Sequence, residues 1–319
     1  MGISGTYGEK EPDEQRFKVL DGYYDLGGRF LDTADVYSDS EDLIGEWFKR
    51  TGKRDDVFLA TKFAMGVAFV DGQPQVTLRS DPAYVPEACE KSLKRLGVSH
   101  IDLYYCHRVD GKTPIEETVK AMAQLKKEGK IRHLGLSEVS SETLRRAHVI
   151  SPISCVQMEY SLMALDVESP QHKLLQTCRE LGVAMVCYSP LGRGFIAGKI
   201  KSPKDFGESD FRKMLPRYSE ENFPKNLELV NKVSSIADKK GCTNSQLALA
   251  WLLAEGSDII PIPGTRSLKY LKENMSAADV SLTQEERDGI RQAAEAAQMQ
   301  GERWPEGLGD VFADTPPLQ

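Results

Sequence analysis

The stretch from residue 101 to residue 136, IDLYYCHRVDGKTPIEETVKAMAQLKKEGKIRHLGL, contains one complete strand–helix–strand unit. Its first six residues form a short apolar run that is typical of a buried β-strand. Residues 114–127 begin with a proline and continue as an amphipathic pattern, which predicts a helix. Residues 133–136 predict the next strand. A helix between two such strands predicts parallel pairing with a right-handed crossover.

The same alternation runs along the whole chain and predicts a parallel α/β fold. We expect a single domain over residues 1–319. Strands are predicted at 29–32, 57–62, 101–106, 133–136, 155–158, 184–188 and 259–262. Helices are predicted at 12–26, 40–49, 82–96, 114–127, 141–148, 172–181, 226–240, 244–254 and 267–277. A (β/α)₈ TIM barrel needs eight strands, so the seven predicted here leave either an open sheet or a barrel without its first strand.

Composition narrows the functional class. A net charge of −7 argues against a nucleic-acid partner, and no apolar run reaches the ~20 residues that cross a bilayer. The six cysteines form no C-x-x-C pair, which favours reduced thiols and a cytoplasmic location. No His/Asp cluster has the spacing of metal ligands, so no metal is predicted. Residues 1–6 fit the loose N-myristoylation pattern, but without a following basic patch we favour a Gly/Ser-rich loop.

Four ionisable residues follow the ends of three neighbouring predicted strands. Asp32 and Lys62 end two of them, His107 follows a third, and Tyr37 lies in the loop after Asp32. In a parallel barrel these ends meet at one rim, where catalytic groups lie. Each residue alone has an ordinary structural explanation, such as a helix cap, a packed phenol or a solvated charge. Their common position predicts an active site.

The chemistry of the four residues is mutually consistent. A tyrosine holds its proton at pH 7, and a neighbouring ammonium makes release of that proton easier. A carboxylate such as Asp32 keeps a buried Lys62 charged. An imidazole at His107 can hydrogen-bond a substrate oxygen. The set therefore predicts an acid, Tyr37, that protonates a carbonyl oxygen.

Motifs along the chain resemble those of the aldo-keto reductase family, in sequence and in order. They include 32–37 (DTADVY), 59–63 (LATKF), 103–108 (LYYCHR), 135–138 (GLSE), 188–194 (YSPLGRG) and 262–266 (IPGTR). The resemblance implies a (β/α)₈ barrel, the tetrad of Asp32, Tyr37, Lys62 and His107, and a bound NADP(H) held without a Rossmann fold. No G-x-G-x-x-G motif opens a predicted helix after a predicted strand, which agrees with cofactor binding without a Rossmann fold.

The resemblance also implies roles for the cofactor-binding residues. Ser137 and Gln157 would hydrogen-bond the nicotinamide carboxamide, and Tyr188 would stack on the nicotinamide ring. The remaining predicted contacts are Ser189, Leu191, Gly192, Arg193 and Gly194 around the pyrophosphate, Gly264, Thr265 and Arg266 at the adenosine 2′-phosphate, and Glu273 and Asn274 at the adenine. A guanidinium at Arg266 suits a phosphate.

Three positions depart from the family pattern. Glu138 stands where many relatives have asparagine, and Tyr270 stands where a basic residue is often found, so the preference for NADP depends more on Arg266. The N-terminal hairpin and most of the first barrel strand have no counterpart here, because Met1–Ser4 resembles only the end of that strand. We therefore expect a barrel without its first strand, as in a truncated form or a mis-started gene model.

The predicted function is NADP-dependent reduction of a small aldehyde or ketone by an aldo-keto reductase. Phe195, Phe206, Phe211 and Trp304, in or beyond the loop predicted at 192–224, are candidates for an apolar substrate pocket, as is Phe69 in the loop predicted at 64–80. Aromatic residues in loops are as often simply packed. Small carbonyl compounds are the predicted partners, and the sequence leaves the oligomeric state open. The alternative is a cofactor-binding redox sensor with little turnover, like the potassium-channel β subunits that share this fold.

Overall fold

Seven parallel strands form one curved sheet with helices packed around it. A computed structural model describes residues 1–5, 9–70, 73–208, 210–305 and 311–318. The strands of this sheet are β1 (Phe30–Asp32), β2 (Phe58–Phe63), β5 (Ile101–Cys106), β6 (Ile131–Ser137), β7 (Cys155–Glu159), β8 (Ala184–Tyr188) and β9 (Ile259–Pro261). They pair in chain order, β1-β2-β5-β6-β7-β8-β9. The predicted parallel α/β fold is therefore confirmed.

The sheet does not close on itself within the described residues. β1 pairs only with β2, and β9 pairs only with β8. The seven strands agree with the number predicted from the sequence. Between β1 and β9 an eighth strand would complete a barrel.

Ten helices occur in the described residues. They are α1 (Asp13–Asp25), α2 (Ser40–Thr51), α3 (Tyr84–Leu96), α4 (Ile115–Lys127), α5 (Ser141–Ile150), α6 (Leu174–Leu181), α7 (Phe223–Lys240), α8 (Asn244–Ala254), α9 (Leu268–Met275) and α10 (Gln284–Ala296). Nine of them match predicted helices to within a few residues. The helix α10 was missed, although Thr283 and Glu286 form a capping box at its start.

The loop predicted after Lys62 is instead a β-hairpin. β3 (Met65–Val70) and β4 (Gln73–Leu78) pair antiparallel and form a separate two-stranded sheet. These strands contain valine, phenylalanine and threonine, residue types that favour extended backbone. The prediction of a loop over 64–80 was therefore wrong for these residues.

The core lies between the sheet and the helices. Strand β5 is buried along its whole length, and aliphatic side chains of α2, α3 and α4 pack against it and its neighbours. Inside the sheet a smaller apolar cluster forms around Leu103, Tyr105 and Val186. This packing leaves the carboxyl ends of the strands as one rim. In the described part of the chain, no helix combines the length and apolar character needed to cross a membrane.

Candidate active site

Three neighbouring strands bring the predicted catalytic residues to one rim. β1 ends at Asp32, β2 carries Lys62 as its penultimate residue, and His107 directly follows β5. The register pairs Asp32 with Ala60 and Lys62 with Tyr105, so these strand ends lie side by side. The structure therefore brings together residues that are up to 75 positions apart in the chain.

Lys62 is the most buried member of the group. Its side chain is 0% exposed and its ammonium forms an ion pair with Asp32, whose side chain is 8% exposed. The ammonium also donates a hydrogen bond to the carbonyl oxygen of Thr33 at 2.6 Å. A buried ammonium without such partners would lose its charge. The two oxygen acceptors keep Lys62 protonated in the interior.

Tyr37 faces both Lys62 and His107. The ammonium of Lys62 lies 5.1 Å from the centre of the Tyr37 ring and interacts electrostatically with its hydroxyl. The rings of Tyr37 and His107 are 5.7 Å apart between centroids and nearly perpendicular. A phenol, an ammonium and an imidazole thus converge at the mouth of the sheet, and Asp32 lies behind the ammonium.

Burial dominates the ionisation of these groups. It raises the pKa of Tyr37 above its usual range, despite the opposing charge of Lys62. It lowers the pKa of His107 well below its usual range, and Lys62 and Arg108 add to the shift. For Lys62, burial lowers the pKa, but Asp32 and Tyr37 outweigh it and the net shift is upward. At neutral pH the site holds a protonated phenol, a charged lysine and a neutral imidazole.

Asp35, two residues before Tyr37, is a part-buried carboxyl whose Oδ1 has no hydrogen-bond partner in the described structure. Burial and the neighbouring Glu41 raise its pKa from 3.8 to about 7. The folded chain therefore binds this proton more tightly than the unfolded chain. The free energy of unfolding should fall as pH rises from about 4 to about 7, and then level off.

We expect Asp35→Asn to remove this pH dependence. At pH 8 the variant should be more stable than the parent by about 2 kcal/mol, allowing for the partial exposure of the group. Near pH 4 the two should unfold with nearly equal free energies, since the parent carboxyl is then neutral in the folded state. Urea unfolding at the two pH values measures the difference. An equal effect at both pH values would contradict the assignment.

The predicted nicotinamide contacts lie on the next three strands. Ser137 ends β6, its register partner Gln157 is the central residue of β7, and Tyr188 ends β8. Gln157 donates its amide Nε2 to Asp32 Oδ2 at 2.8 Å, which links this wall to the catalytic group. The hydroxyl of Ser137 accepts a hydrogen bond from Arg108 at 3.3 Å. These residues therefore adjoin the tetrad.

Several buried polar atoms along this wall have no hydrogen-bond partner among the described residues. They are both carboxylate oxygens of Glu138, the hydroxyl of Tyr188, Nδ1 of His107 and Nη1 of Arg303. Glu138 is 0% exposed and has a left-handed backbone with φ of 56°. Leaving a buried polar atom unpaired costs about 1–3 kcal/mol. A ligand with an amide group would satisfy part of this deficit, so the wall fits the carboxamide of a nicotinamide.

The turn after β8 has a left-handed backbone at the predicted pyrophosphate position. Ser189, Gly192, Arg193 and Gly194 all have positive φ values, between 49° and 89°. Two amides of this turn are used within it: Gly192 N–H donates to the Ser189 carbonyl oxygen at 2.8 Å, and Gly194 N–H donates to the Leu191 carbonyl oxygen at 3.0 Å. The side chain of Arg193 is also engaged: it pairs with buried Glu159 at 3.4 Å and lies 4.7 Å from the centre of the Trp304 ring.

The predicted adenosine contacts follow β9 and continue onto α9. Gly264 and Arg266 are exposed in the loop between these elements, and Thr265 is part-exposed. The guanidinium of Arg266 donates to the carbonyl oxygen of Glu9 at 2.9 Å. Glu273 and Asn274 lie near the end of α9, and Glu273 accepts a hydrogen bond from the Thr243 hydroxyl at 2.9 Å.

The sequence did not predict Lys199 and Arg303 as site residues. The ammonium of Lys199 lies 3.8 Å from the centre of the Tyr270 ring, which adds a positive charge where the expected basic residue was absent. Arg303 is buried and pairs with Asp166 at 2.5 Å, and it interacts electrostatically with Tyr188 and Glu138. Neither lies in a sequence pattern that marks a site, because only the folding of distant loops brings them to the rim.

The predicted aromatic lining is largely packing. Phe195 is 0% exposed and Phe206 is 4% exposed, and both rings pack against Tyr218 and Phe223. These two phenylalanines are therefore packed in the core and do not line an open pocket, so for them the pocket prediction is wrong. Phe211 and Trp304 are only partly buried and pack against each other at 5.9 Å. The side chain of Phe69 lies outside the described residues.

Comparison with known proteins places these features in a family. A profile of the Aldo/keto reductase family matches residues 1–295. The chain is 52% identical to the aldo-keto reductase str7 of Strobilurus tenacellus, with 100% of this chain and 92% of that protein covered. It is 47% identical to the aldo-keto reductase yakc [NADP(+)] of Schizosaccharomyces pombe, with 100% and 94% covered. The curved seven-stranded parallel sheet and these matches define an α/β oxidoreductase.

Solved structures agree with this class. The glycerol dehydrogenase AKR11B4 from Gluconobacter oxydans superposes with a TM-score of 0.83 at 27% identity, covering 94% of this chain and 91% of that one. The thermostable aldo-keto reductase Tm1743, solved with the inhibitor epalrestat, gives a TM-score of 0.70 at 28% identity, with 91% and 92% covered. The chain belongs to the aldo/keto reductase family.

Proposed function

We propose that this chain reduces small aldehydes or ketones to alcohols with NADPH, and that Tyr37 donates the proton. The observation that carries the proposal is the convergence of Tyr37, Lys62, Asp32 and His107 at one rim, beside a wall of unpaired buried polar atoms. Membership of the aldo/keto reductase family supports it. The name of the Schizosaccharomyces pombe relative supports NADP as the cofactor.

Each member of the tetrad has a distinct task. NADPH, when bound, supplies a hydride for the carbonyl carbon. The Tyr37 hydroxyl protonates the carbonyl oxygen, and the ammonium of Lys62 stabilises the tyrosinate that remains. Asp32 keeps Lys62 charged through their buried ion pair. The neutral imidazole of His107 hydrogen-bonds the substrate oxygen and orients it, a role its lowered pKa favours.

The cofactor would lie across the strand ends from β6 to β9. In this proposal Ser137 and Gln157 hold the carboxamide and Tyr188 stacks on the ring, while Arg266 and the part-exposed Thr265 face the 2′-phosphate. Lys199 adds charge near the same end. Backbone groups of Ser189 and of residues 191–194 surround the pyrophosphate, Gly264 leaves room beside the 2′-phosphate, and Glu273 and Asn274 contact the adenine.

Two measurements on the purified chain test the proposal. NADPH fluorescence titration reports binding, and the loss of 340-nm absorbance with a panel of aliphatic, aromatic and pyridoxal-like carbonyls reports turnover. We expect tight binding, faster turnover with NADPH than with NADH, and activity toward at least one class of carbonyl. Binding without turnover of any carbonyl would contradict the enzyme proposal and favour the redox-sensor alternative.

A further inference from the structure

Arg95, in the last turn of α3, contacts the loop that carries Tyr37. Its Nη1 donates to the carbonyl oxygen of Asp35 at 2.9 Å, and its Nη2 donates to the carbonyl oxygen of Ser38. The two acceptors lie on either side of Tyr37 in the chain. One planar guanidinium therefore fixes the backbone before and after the tyrosine.

The loop needs such support. Ser38 has a left-handed backbone with φ of 51°, a conformation that costs a residue other than glycine about 1 kcal/mol and persists only when its surroundings enforce it. Within the loop, Tyr37 N–H donates to the Ala34 carbonyl at 3.1 Å, and Asp35 N–H donates to the Lys62 carbonyl at 3.1 Å. The second of these bonds ties the loop to the strand that carries Lys62.

The other contacts of Arg95 link it to that same strand. Its guanidinium lies 3.1 Å from Oε2 of Glu41, which is 0% exposed. The second oxygen of Glu41 accepts a hydrogen bond from Thr61 at 2.6 Å, and Thr61 directly precedes Lys62. A chain of polar contacts therefore runs from β2 through Glu41 and Arg95 to the Tyr37 loop.

The end of α3 is itself held in place. At Gly45 in α2, a Cβ atom would lie 2.7 Å from the carbonyl oxygens of Arg95 and Leu96, so only glycine allows this close crossing. Nε and Nη2 of Arg95 also donate to Asp42 Oδ2, at 3.0 and 2.8 Å. The Arg95 guanidinium is therefore attached to a fixed backbone, and all three of its nitrogen atoms donate hydrogen bonds.

We infer that Arg95 is a positioning residue that sets where the Tyr37 hydroxyl lies relative to the Lys62 ammonium. This inference rests on the proposed function, in which that pair delivers the proton. Lysine cannot replace arginine here, because a single ammonium does not span two carbonyl groups in the fixed fork geometry of a guanidinium. The role is distinct from catalysis, since Arg95 acts through the loop rather than on the substrate.

The test compares Arg95→Lys with the parent in single-turnover reduction, which isolates the chemical step from product release. We expect a rate ~10–100-fold lower, the effect of a small misplacement of a reacting group, with unchanged NADPH affinity and a similar urea midpoint. The basic limb of the pH–rate profile should move to higher pH, because the phenol loses proximity to Lys62. Asp32, Arg108 and His107 also face the Tyr37 phenol. Because the variant leaves them unchanged, the shift of the profile reports the distance between Tyr37 and Lys62. Arg79→Lys, at an exposed ion pair with Asp81, is the matched control and should behave as the parent.

A parent-like rate and pH profile in Arg95→Lys would overturn the inference. Glu41→Gln is the second variant, for use if Arg95→Lys does not fold, because it keeps the arginine but removes the negative charge of the residue that joins it to Thr61. It should show the same shift of the profile and a smaller loss of rate, and a parent-like profile would again overturn the inference. Tyr37→Phe is measured in parallel. If it remains active, the proposed proton donor is wrong; if it is inactive while Arg95→Lys matches the parent, only the positioning role fails.

Discussion

Replacing Tyr37 by phenylalanine is expected to lower kcat by ~10³-fold, within the range of removing a general acid. The change deletes only the hydroxyl, so the ring keeps its edge-to-face contact with His107. NADPH affinity should stay within about twofold, because the hydroxyl faces Lys62 rather than the β6–β8 wall. Steady-state reduction of the best carbonyl from the panel, together with fluorescence titration, measures both quantities.

Tyr104→Phe is the matched control for this variant. Tyr104 is a fully buried phenol on β5, where it stacks on Phe63 and its hydroxyl has no partner in the described structure. Loss of that hydroxyl should leave kcat unchanged. Full activity in Tyr37→Phe, or equal losses in both variants, would mean that the phenol of Tyr37 does not deliver the proton.

Lys62→Met is expected to abolish turnover and also to destabilise the fold. The change removes the charged partner of Asp32 and leaves a carboxylate that is only 8% exposed beside the amide of Gln157. Breaking a buried ion pair by removing one partner costs about 3–5 kcal/mol. Urea unfolding at pH 7 should show a loss of that size, and kcat should fall by at least ~10²-fold, because the tyrosinate loses its stabilising charge.

The double variant Asp32→Asn/Lys62→Met separates the two effects. It removes both charges, so it should regain most of the lost stability but none of the activity. Lys91→Met serves as the surface control, since its ion pair with Glu87 is 61% exposed on the lysine side, and its stability should change by less than about 0.5 kcal/mol. If Lys62→Met were as stable as Lys91→Met, the ion pair would not have the structural role assigned to it.

Most of the architecture was predictable from local pattern. Strands β5 and β8 begin and end where the sequence predicts, because each is a short apolar run between polar turns. The hairpin β3–β4 was missed, although the sequence contains Asp71-Gly72, a dipeptide typical of two-residue hairpin turns. The helix α10 was missed despite its capping box.

The catalytic group was predictable for a different reason. Asp32 and Lys62 lie at the ends of apolar strands and His107 directly follows one, and strands that pair in parallel bring their ends to one rim. The structure also shows contacts that this rule does not predict. It shows that Gln157 reaches Asp32, that Arg193 is engaged by Glu159, and that Arg95 holds both sides of Tyr37. No short-range spacing marks these contacts.

The amino-acid sequence alone determined that this chain folds as alternating strands and helices, and that its polar groups collect at the carboxyl ends of the strands. Hydrophobic periodicity and the direction of each strand are local properties of the sequence, so they can be recognised before the structure is known. Only the tertiary structure decided the protonation of those groups and the position of the tyrosine. Burial and neighbouring charge set the ionisation of Tyr37, His107 and Asp35, and both depend on residues that are distant in sequence and close only after folding.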